Sequence, residues 1–199
     1  MYRLIESIRL ENGVFHHLPY HQHRMDNTVQ KLAGSQNQVI LKTVIKKLVV
    51  PQNGIYKYRV VYTTDGEWQH ELIPYKAMPI HSLKVMYDNA IKYDYKYADR
   101  SKLDMLFNKR GRANDILIVK NGLVTDTSYN NVVFYDGLRW ITPAMPLLPG
   151  VMRAVLLDAG EIQEEELMLS HLNRFKKIKL INALVGFNGP EFPVTHILF

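Results

Sequence analysis

Cysteine is absent from the 199 residues of this chain. Its absence excludes disulfides, thiol nucleophiles, iron–sulfur clusters and cysteine-based zinc sites. A chain without cysteine fits a reducing compartment better than secretion, so the sequence predicts a cytoplasmic protein. Long hydrophobic runs are lacking as well, because the longest apolar segments, such as 116–119, have the length of a strand. Charges at Arg3, Glu6 and Arg9 interrupt the N-terminal segment, which therefore lacks the apolar core of a signal peptide.

Several common functional motifs are missing too. The sequence contains no GxGxxG, GxxxxGK, GxSxG or HExxH pattern, so it does not indicate a dinucleotide-binding protein, a P-loop enzyme, an α/β-hydrolase or a zinc protease. Basic residues outnumber acidic ones by 25 to 19, which gives a net charge of +6. They occur in short separated groups, a pattern that favours attraction of small anions over binding of nucleic acid.

Four of the eight histidines are crowded into the segment HHLPYHQH, as His16, His17, His21 and His23. Converging imidazoles can hold a metal ion. Pro19, however, interrupts the helical spacing between them. We therefore expect these histidines to be surface and capping residues, and we expect no metal site.

Turn signals and apolar spacing outline the secondary structure. Six of the 11 glycines follow Asn or Asp, and such pairs are typical of hairpin turns. The β-rich runs between them predict strands over 3–10, 55–62, 68–73, 83–87, 116–119, 132–135 and 179–184. Helical spacing predicts helices over 19–32, 38–49, 99–110 and from 151 to a stop at Gly160. This order is typical of an α+β fold, and the proline-flanked stretch 74–79 predicts two domains, 1–79 and 80–199.

The stretch 95–153 carries four motifs in order. They are a lysine before a helix, a strand and hairpin ending in an acidic residue, an Asn-apolar-Phe triplet, and a T-P pair followed by L-P-G-x-x-R. Together they resemble the class IV aminotransferase family, which groups branched-chain aminotransferases, D-amino-acid aminotransferases and aminodeoxychorismate lyases, all built on pyridoxal 5′-phosphate (PLP). The resemblance implies a two-domain fold with a small N-terminal α/β sandwich and a larger, barrel-like C-terminal PLP-binding domain. It also implies a cofactor cleft between the domains and a homodimer.

The resemblance identifies Lys96 as the reactive lysine. PLP chemistry needs an amine that holds the cofactor as an aldimine and moves protons at the substrate carbon. Lys96 stands four residues before Arg100, which matches the spacing in the lyases of the family. Lys92 and Lys102 are the competing candidates.

The same resemblance implies two residues beside the cofactor ring. Asp126 occupies the place of the family's glutamate, whose carboxylate keeps the pyridine nitrogen protonated. Its side chain is one methylene shorter, which changes its reach. Asn131 matches the asparagine of the Asn-apolar-Phe strand and is expected to support the cofactor loop.

Four further residues are expected around the cofactor phosphate, because backbone N–H groups at a helix N-terminus and a fixed guanidinium both favour an anion. The resemblance assigns the amides of Val151 and Met152 to this turn. It assigns the guanidinium to Arg24 on the first helix. Asn182, in an Asn-Ala-Leu segment like that of the lyases, is expected near the phosphate.

Three functions remain open at this point. The K-x-x-x-R spacing, Met152 and the Asn-Ala-Leu segment favour an aminodeoxychorismate lyase, which uses Lys96 to release pyruvate and para-aminobenzoate for folate biosynthesis. A branched-chain or D-amino-acid transaminase with the same Lys96 is the alternative. A non-catalytic binding scaffold of the same fold is a third hypothesis, motivated by Asp126. In both enzymes the partner is a small amino or carboxylate substrate, and neither a nucleic acid nor a membrane is expected.

Overall fold

The computed structural model describes residues 2–199, which form two compact units. The first unit ends at Ala77 and also includes Tyr95–Asp99, whereas the second comprises Met78–Asp94 and Arg100–Phe199. The first unit thus ends at Ala77, where the sequence analysis divides the chain after residue 79, and it includes Tyr95–Asp99, which pair with a strand of the first unit. No helix within residues 2–199 is long and apolar enough to cross a membrane.

The first unit is an antiparallel sheet covered by helices. Its strands are β1 (Arg3–Glu11), β2 (Val14–Phe15), β3 (Ile55–Thr63) and β4 (Trp68–Pro74), in the order β2-β1-β3-β4. Its helices are α1 (Leu18–Ala33) and α2 (Leu41–Ile45). Alternate residues of β1 are fully buried, namely Leu4, Glu6, Ile8 and Leu10. Because side chains alternate across a strand, one face of β1 builds the core and places Glu6 within it.

Helix α1 follows the sequence prediction, but the predicted helix over 38–49 is wrong outside Leu41–Ile45. Before α2, side-chain oxygens accept hydrogen bonds from backbone N–H groups and so compete with helix formation. The Val39 N–H donates to Asn37 Oδ1 (3.0 Å), and the Leu41 N–H donates to Gln22 Oε1 on α1 (2.8 Å). These bonds hold the chain extended up to Ile40 and let the helix begin only at Leu41.

The second unit contains two sheets. The first has the order β13-β5-β6-β7 and the second the order β10-β9-β8-β11-β12. The strands are β5 (Leu83–Tyr87), β6 (Asp115–Lys120), β7 (Leu123–Val124), β8 (Asn131–Tyr135), β9 (Trp140–Pro143), β10 (Gln163–Glu165), β11 (Lys177–Ile181), β12 (Glu191–Pro193) and β13 (Ile197–Leu198). The helices are α3 (Ser101–Phe107) and α4 (Val151–Asp158), with 3₁₀ turns at Leu169–Arg174 and Val194–His196. Buried side chains from both sheets form one shared hydrophobic core.

Two predicted elements in the second unit differ from the structure. Helix α3 spans Ser101–Phe107 rather than 99–110, and the last long strand is Lys177–Ile181 rather than 179–184. The strand ends early because the Asn182 side chain accepts hydrogen bonds from the backbone N–H groups of Leu184 and Val185 (2.8 and 3.0 Å), which turns the chain.

Candidate functional site

Lys96 lies on a segment that extends the sheet of the first unit. The Ile5 N–H donates to the Lys96 carbonyl (2.9 Å), and the Ala98 N–H donates to the Arg3 carbonyl (2.9 Å). Tyr95–Asp99 therefore run along the edge of β1. These two bonds fix the backbone from which the Lys96 side chain extends.

The backbone makes a tight turn at Lys96. The Tyr97 N–H donates to the Tyr95 carbonyl (2.8 Å), which places Lys96 at the centre of a three-residue turn. The Tyr95 and Tyr97 rings meet edge to face at 6.0 Å, and both pack against the core of the first unit. Lys96 is half-buried, whereas the competing Lys92 and Lys102 are exposed. Partial burial is what a reactive amine needs, so exposure separates Lys96 from its competitors.

A buried charge network stands on β1 and α1 in the same unit. The carboxylate of Glu6, whose side chain has 0% exposure, accepts hydrogen bonds from Arg24 Nε (2.9 Å) and Arg24 Nη2 (2.5 Å). His21 Nδ1 lies 2.6 Å from the second carboxylate oxygen. Burial alone would raise the pKa of Glu6, but Arg24 and His21 outweigh it and lower the pKa to about 2. Glu6 is thus an anion held by two basic side chains.

The protonation of His21 follows from this contact. An ionised carboxylate only accepts, so His21 Nδ1 carries the proton and donates to Glu6. Burial lowers the pKa of His21, and the positive charges of Arg24 and Lys96 act in the same direction, against the pull of Glu6. The neutral ring then presents Nε2 as a bare acceptor. This atom is buried and has no hydrogen-bond partner among residues 2–199.

The surface role expected for the histidines is wrong for His21, which is 0% exposed. His23 is exposed, and His17 is the N-cap of α1 in a left-handed conformation, with φ 55°. Within residues 2–199 no three His, Asp or Glu side chains are grouped as a metal site would need. His21 was missed because histidine spacing alone does not show which ring faces Glu6.

Asp126 lies at the centre of a buried cluster in the second unit. Its Oδ1 accepts from Asn131 Nδ2 (2.8 Å), and its Oδ2 accepts from the Leu148 N–H (2.9 Å). Burial raises the pKa of Asp126 to about 6, although both hydrogen bonds and Arg153 oppose the shift. The Leu147 backbone is a third donor to Asp126, and since a carboxylate has about four acceptor positions, one further donor can be accepted.

Asn131 joins this carboxylate to the turn before α4. Its amide nitrogen also donates to the Leu148 carbonyl (2.8 Å). A Cβ added to Gly150 would collide with the Asn131 amide oxygen, so only glycine allows this close approach. Helix α4 begins at the next residue, and the first N–H groups of a helix have no acceptors within it. Val151 and Met152 are both buried at this end of the helix.

The loop 127–130 is anchored from two sides. Ser128 Oγ donates to Asp115 (2.5 Å), and Arg100 Nη2 donates to the Ser128 carbonyl (2.7 Å). The Arg100 guanidinium also lies over the Tyr129 ring, 4.1 Å from its centroid. Sequence reasoning missed Asp115 and Ser128. Asp115 carries the signal that could have found the pair: it is a polar residue at the start of an otherwise apolar strand, and such a residue needs a buried partner, which here is Ser128.

Asn182 reaches the cluster indirectly. Its Nδ2 donates to Asn130 Oδ1 (2.7 Å), and its own oxygen holds the following turn. Asn182 therefore braces the loop that follows Asp126. Of the residues nominated by sequence, the second unit brings Asp126, Asn131, Val151 and Met152 together, and the first unit holds Arg24 and Lys96.

A comparison with known protein families decides the family. The profile described as amino-transferase class IV matches residues 3–189. The chain belongs to the class IV aminotransferases. This family is PLP-dependent, and both the family and the α+β fold expected for it are confirmed.

Individual relatives of this class IV chain cover nearly its whole length. An uncharacterized protein of Haemophilus influenzae is 34% identical over 188 residues, which are 94% of this chain and 100% of the relative. A crystal structure from Haemophilus somnus, provisionally named a 4-amino-4-deoxychorismate lyase, is 30% identical with a TM-score of 0.88, over 94% of this chain and 98% of that one. A hypothetical Mycobacterium tuberculosis aminotransferase solved with PLP bound shares the fold, at 14% identity and a TM-score of 0.75, over 93% and 78% of the two chains.

Each unit by itself carries polar groups that suit part of PLP. The second unit has the buried Asp126 carboxylate, an acceptor for a pyridine N–H, near the N-terminus of a helix that begins directly after Gly150. The first unit has a half-buried lysine amine, which an aldehyde can bind.

Proposed function

We propose that this chain is a PLP-dependent enzyme acting on an amino-group-bearing carboxylate, and that its reaction is that of an aminodeoxychorismate lyase. The observation that carries the proposal is the 30% identity to the Haemophilus somnus protein over nearly the whole of both chains. The lysine four residues before Arg100, which resembles the lyases, supports the same conclusion.

In this proposal Lys96 is the catalytic residue. PLP supplies two groups: its aldehyde binds an amine, and its pyridine ring accepts electrons from the substrate carbon. The Lys96 amine would hold the cofactor until the amino group of the substrate displaces it. The freed amine would then take the proton from the substrate carbon that bears the nitrogen and return it to the departing enolpyruvyl group, which leaves as pyruvate while the ring becomes para-aminobenzoate. The backbone of Lys96 is held on the edge of β1 by two hydrogen bonds, which fix the point from which the side chain reaches the cofactor in this proposal.

The remaining nominated residues bind the cofactor. Asp126 would accept the pyridine N–H as one further donor, and Asn131 holds Asp126 and the turn in place. The Val151 and Met152 amides would donate to the phosphate at the start of α4.

Two further residues complete the proposed binding set. Arg24 would contribute a guanidinium to the binding of a phosphate, and the Glu6 carboxylate orients it by accepting from Nε and Nη2. Asn182 acts by bracing the loop after Asp126.

A transaminase is the second candidate, since a Mycobacterium tuberculosis aminotransferase shares this fold. It would use Lys96 to move a proton between the substrate carbon and the cofactor, with a branched-chain or D-amino acid as donor. Homodimerisation, a cytoplasmic location and supply of para-aminobenzoate for folate synthesis are parts of the same proposal. Light scattering after gel filtration tests the dimer.

The deciding experiment is covalent trapping with PLP. The purified protein is mixed with PLP, its visible spectrum is recorded, and borohydride is added before peptide mass spectrometry. We expect a yellow species and a reduced adduct on Lys96, which are lost in Lys96→Ala and retained in the exposed control Lys92→Ala. An assay for released pyruvate and para-aminobenzoate then distinguishes a lyase from a transaminase, which passes the amino group to a 2-oxo acid. Absence of any adduct would leave the non-catalytic scaffold as the explanation.

A further inference from the structure

Arg153 is a buried cation to which the proposed function gives no role. It is the arginine of the L-P-G-x-x-R motif and the third residue of α4. Its side chain is only 7% exposed. A positive charge in the first turn of a helix is unfavourable, because that end of the helix dipole is itself positive. Arg153 therefore needs partners outside α4.

The partners of Arg153 lie on two neighbouring strands of the second unit. Nη2 of Arg153 donates to the carbonyl of Pro143, the last residue of β9 (2.9 Å). The same nitrogen donates to the carboxylate of Glu164 on β10. Because β9 and β10 pair in parallel, both contacts hold the first turn of α4 against one edge of the same sheet.

The contact with Pro143 joins two of the motifs found in the sequence. Pro143 belongs to the T-P pair, which precedes L-P-G-x-x-R in the chain. Its neighbour Thr142 is fully buried, and the Thr142 hydroxyl donates to the Val132 carbonyl on β8 (2.9 Å). The carbonyl that accepts from Arg153 is thus carried by a strand that is itself held in the sheet.

The chain from Pro143 to Arg153 is held at its ends and in its middle. Arg153 joins the two ends by its bond to the Pro143 carbonyl. In the middle, the Leu148 N–H donates to Asp126 (2.9 Å) and the Leu148 carbonyl accepts from Asn131 (2.8 Å). The first two amides of α4 lie between Leu148 and Arg153, so the turn that carries them is held on both sides.

We propose that Arg153 is a positioning residue for phosphate binding: by holding the first turn of α4 against β9 and β10, it keeps the amides of Val151 and Met152 where they can donate to a phosphate. The proposal rests on the proposed function, in which these amides bind the phosphate of PLP. Among the described residues of α4, the first turn contains no acidic side chain that could take the place of such an anion. Arg153 donates to protein groups and acts on the phosphate through the backbone.

Pyridoxal is the probe that isolates the phosphate, because it has the ring and the aldehyde of PLP without the phosphate. Absorbance titration of the full chain gives a dissociation constant for each compound, and the ratio of pyridoxal to PLP measures what the phosphate contributes. In Arg153→Met we expect this ratio to fall about tenfold, which corresponds to the loss of one hydrogen bond to a charged group.

The ratio also separates positioning from an effect on Asp126. The positive charge of Arg153 lowers the pKa of Asp126. Asp126 would contact the ring, which both compounds share, so an effect through Asp126 changes both affinities alike and leaves the ratio constant. Arg153→Lys keeps the charge but has a shorter side chain without the planar guanidinium. Its ratio should lie between those of the wild type and Arg153→Met.

The matched control is Arg174→Met. Arg174 pairs with Glu165, the residue after Glu164 on β10, and the two side chains are 39% and 36% exposed. The same substitution at this exposed pair should leave the ratio unchanged. Arg153→Met should fold, because the Glu164 side chain that it leaves behind is 48% exposed and stays hydrated.

A titration with inorganic phosphate tests the same role without an aldehyde. The amide resonances of Val151 and Met152 should shift in the wild type, and Arg153→Met should need about tenfold more phosphate for the same shift. An unchanged ratio in Arg153→Met, or wild-type amides that do not respond to phosphate, would overturn the proposal. A response to phosphate that depends on Arg153, without a PLP adduct on Lys96, would support the role of Arg153 and refute the enzyme alone.

Discussion

Glu6 is the residue on which the charge network of the first unit depends. Its carboxylate is buried and accepts hydrogen bonds from His21 and from Nε and Nη2 of Arg24. We expect Glu6→Gln to lower the free energy of unfolding by about 3 kcal/mol, because it leaves a buried guanidinium without its counter-charge. Urea denaturation measures this loss. In the control Glu71→Gln, which breaks an exposed pair with Arg59, the loss should stay below about 1 kcal/mol.

The pKa of Glu6 also predicts how the free energy of unfolding depends on pH. The pKa of Glu6 is lowered from 4.5 to about 2, so the folded state holds this proton more weakly than the unfolded state does. Its contribution is complete above pH 4.5 and is lost as the pH falls towards 2. The difference in stability between wild type and Glu6→Gln should therefore shrink over this range. A difference that is constant with pH would contradict the ionised, buried state of Glu6.

The contribution of Asp126 to the free energy of unfolding should depend on pH in the opposite direction. Burial raises its pKa from 3.8 to about 6, so the folded state binds the proton more tightly and the contribution to stability is lost as the pH rises from 3.8 to 6. Asp126→Asn removes this titration. We expect the variant to cost more stability at pH 4 than at pH 7, by about 2 kcal/mol. Thermal unfolding at both pH values measures the difference, and an equal cost at both would show that Asp126 is not buried in the free protein.

The sequence contained a signal for Glu6 that the motifs did not use. Leu4, Glu6, Ile8 and Leu10 lie on one face of a strand, so alternation alone places a charge in the core. Such a charge requires a partner, and a basic residue on the following helix is the natural one. Lys96 and Asp126 were nominated by resemblance, whereas the pairing of Asp126 with Leu148 could not be predicted because it depends on the path of a distant loop.

The start of α1 is an element whose geometry constrains one residue. His17 is its N-cap with φ 55°, a conformation that costs a β-branched residue most and, among residues with a side chain, asparagine little. We expect His17→Val to lower the free energy of unfolding by about 1–2 kcal/mol and His17→Asn to leave it nearly unchanged. Both variants lose the imidazole ring, so unfolding curves of the pair isolate the backbone effect. Equal losses would assign the effect to the ring.

Apolar periodicity in the sequence predicts some of the helices and strands correctly and misses others. Helix α4 and strand β5 agree with the sequence prediction, because their apolar spacing is not contested by side-chain hydrogen bonds. Helix α2 is shorter than predicted because Gln22 and Asn37 bind the backbone ahead of it. Strands of two to four residues, such as β7 and β10, were not predicted because a window that short carries no periodicity.

The whole molecule is divided in a way that length and proline content do not reveal. Tyr95–Asp99 belong to the first unit through hydrogen bonds to Arg3 and Ile5, about ninety residues earlier in the chain. A contact so distant in sequence leaves no local pattern. The proline-flanked stretch 74–79 predicts a boundary, whereas no local pattern predicts the return of the chain to the first unit at Tyr95–Asp99.

A fragment of residues 1–79 tests this division. It lacks Tyr95–Asp99 and leaves backbone groups of β1 unpaired at the sheet edge, so we expect it to self-associate. The same fragment with residues 95–99 fused through a glycine–serine linker should be monomeric. Light scattering after gel filtration distinguishes the two. Monomers in both cases would show that the segment does not protect the edge.

The position of Lys96 also limits how such a protein can be recombined. Its amine is carried by residues that lie after the linker in sequence, yet its backbone is fastened to a strand encoded before it. A chimera made by a single crossover in the linker would inherit the lysine from one parent and its docking edge from the other. Relatives can exchange these two parts only if both parents preserve the β1 edge. We therefore expect β1 and the segment that carries Lys96 to be inherited together.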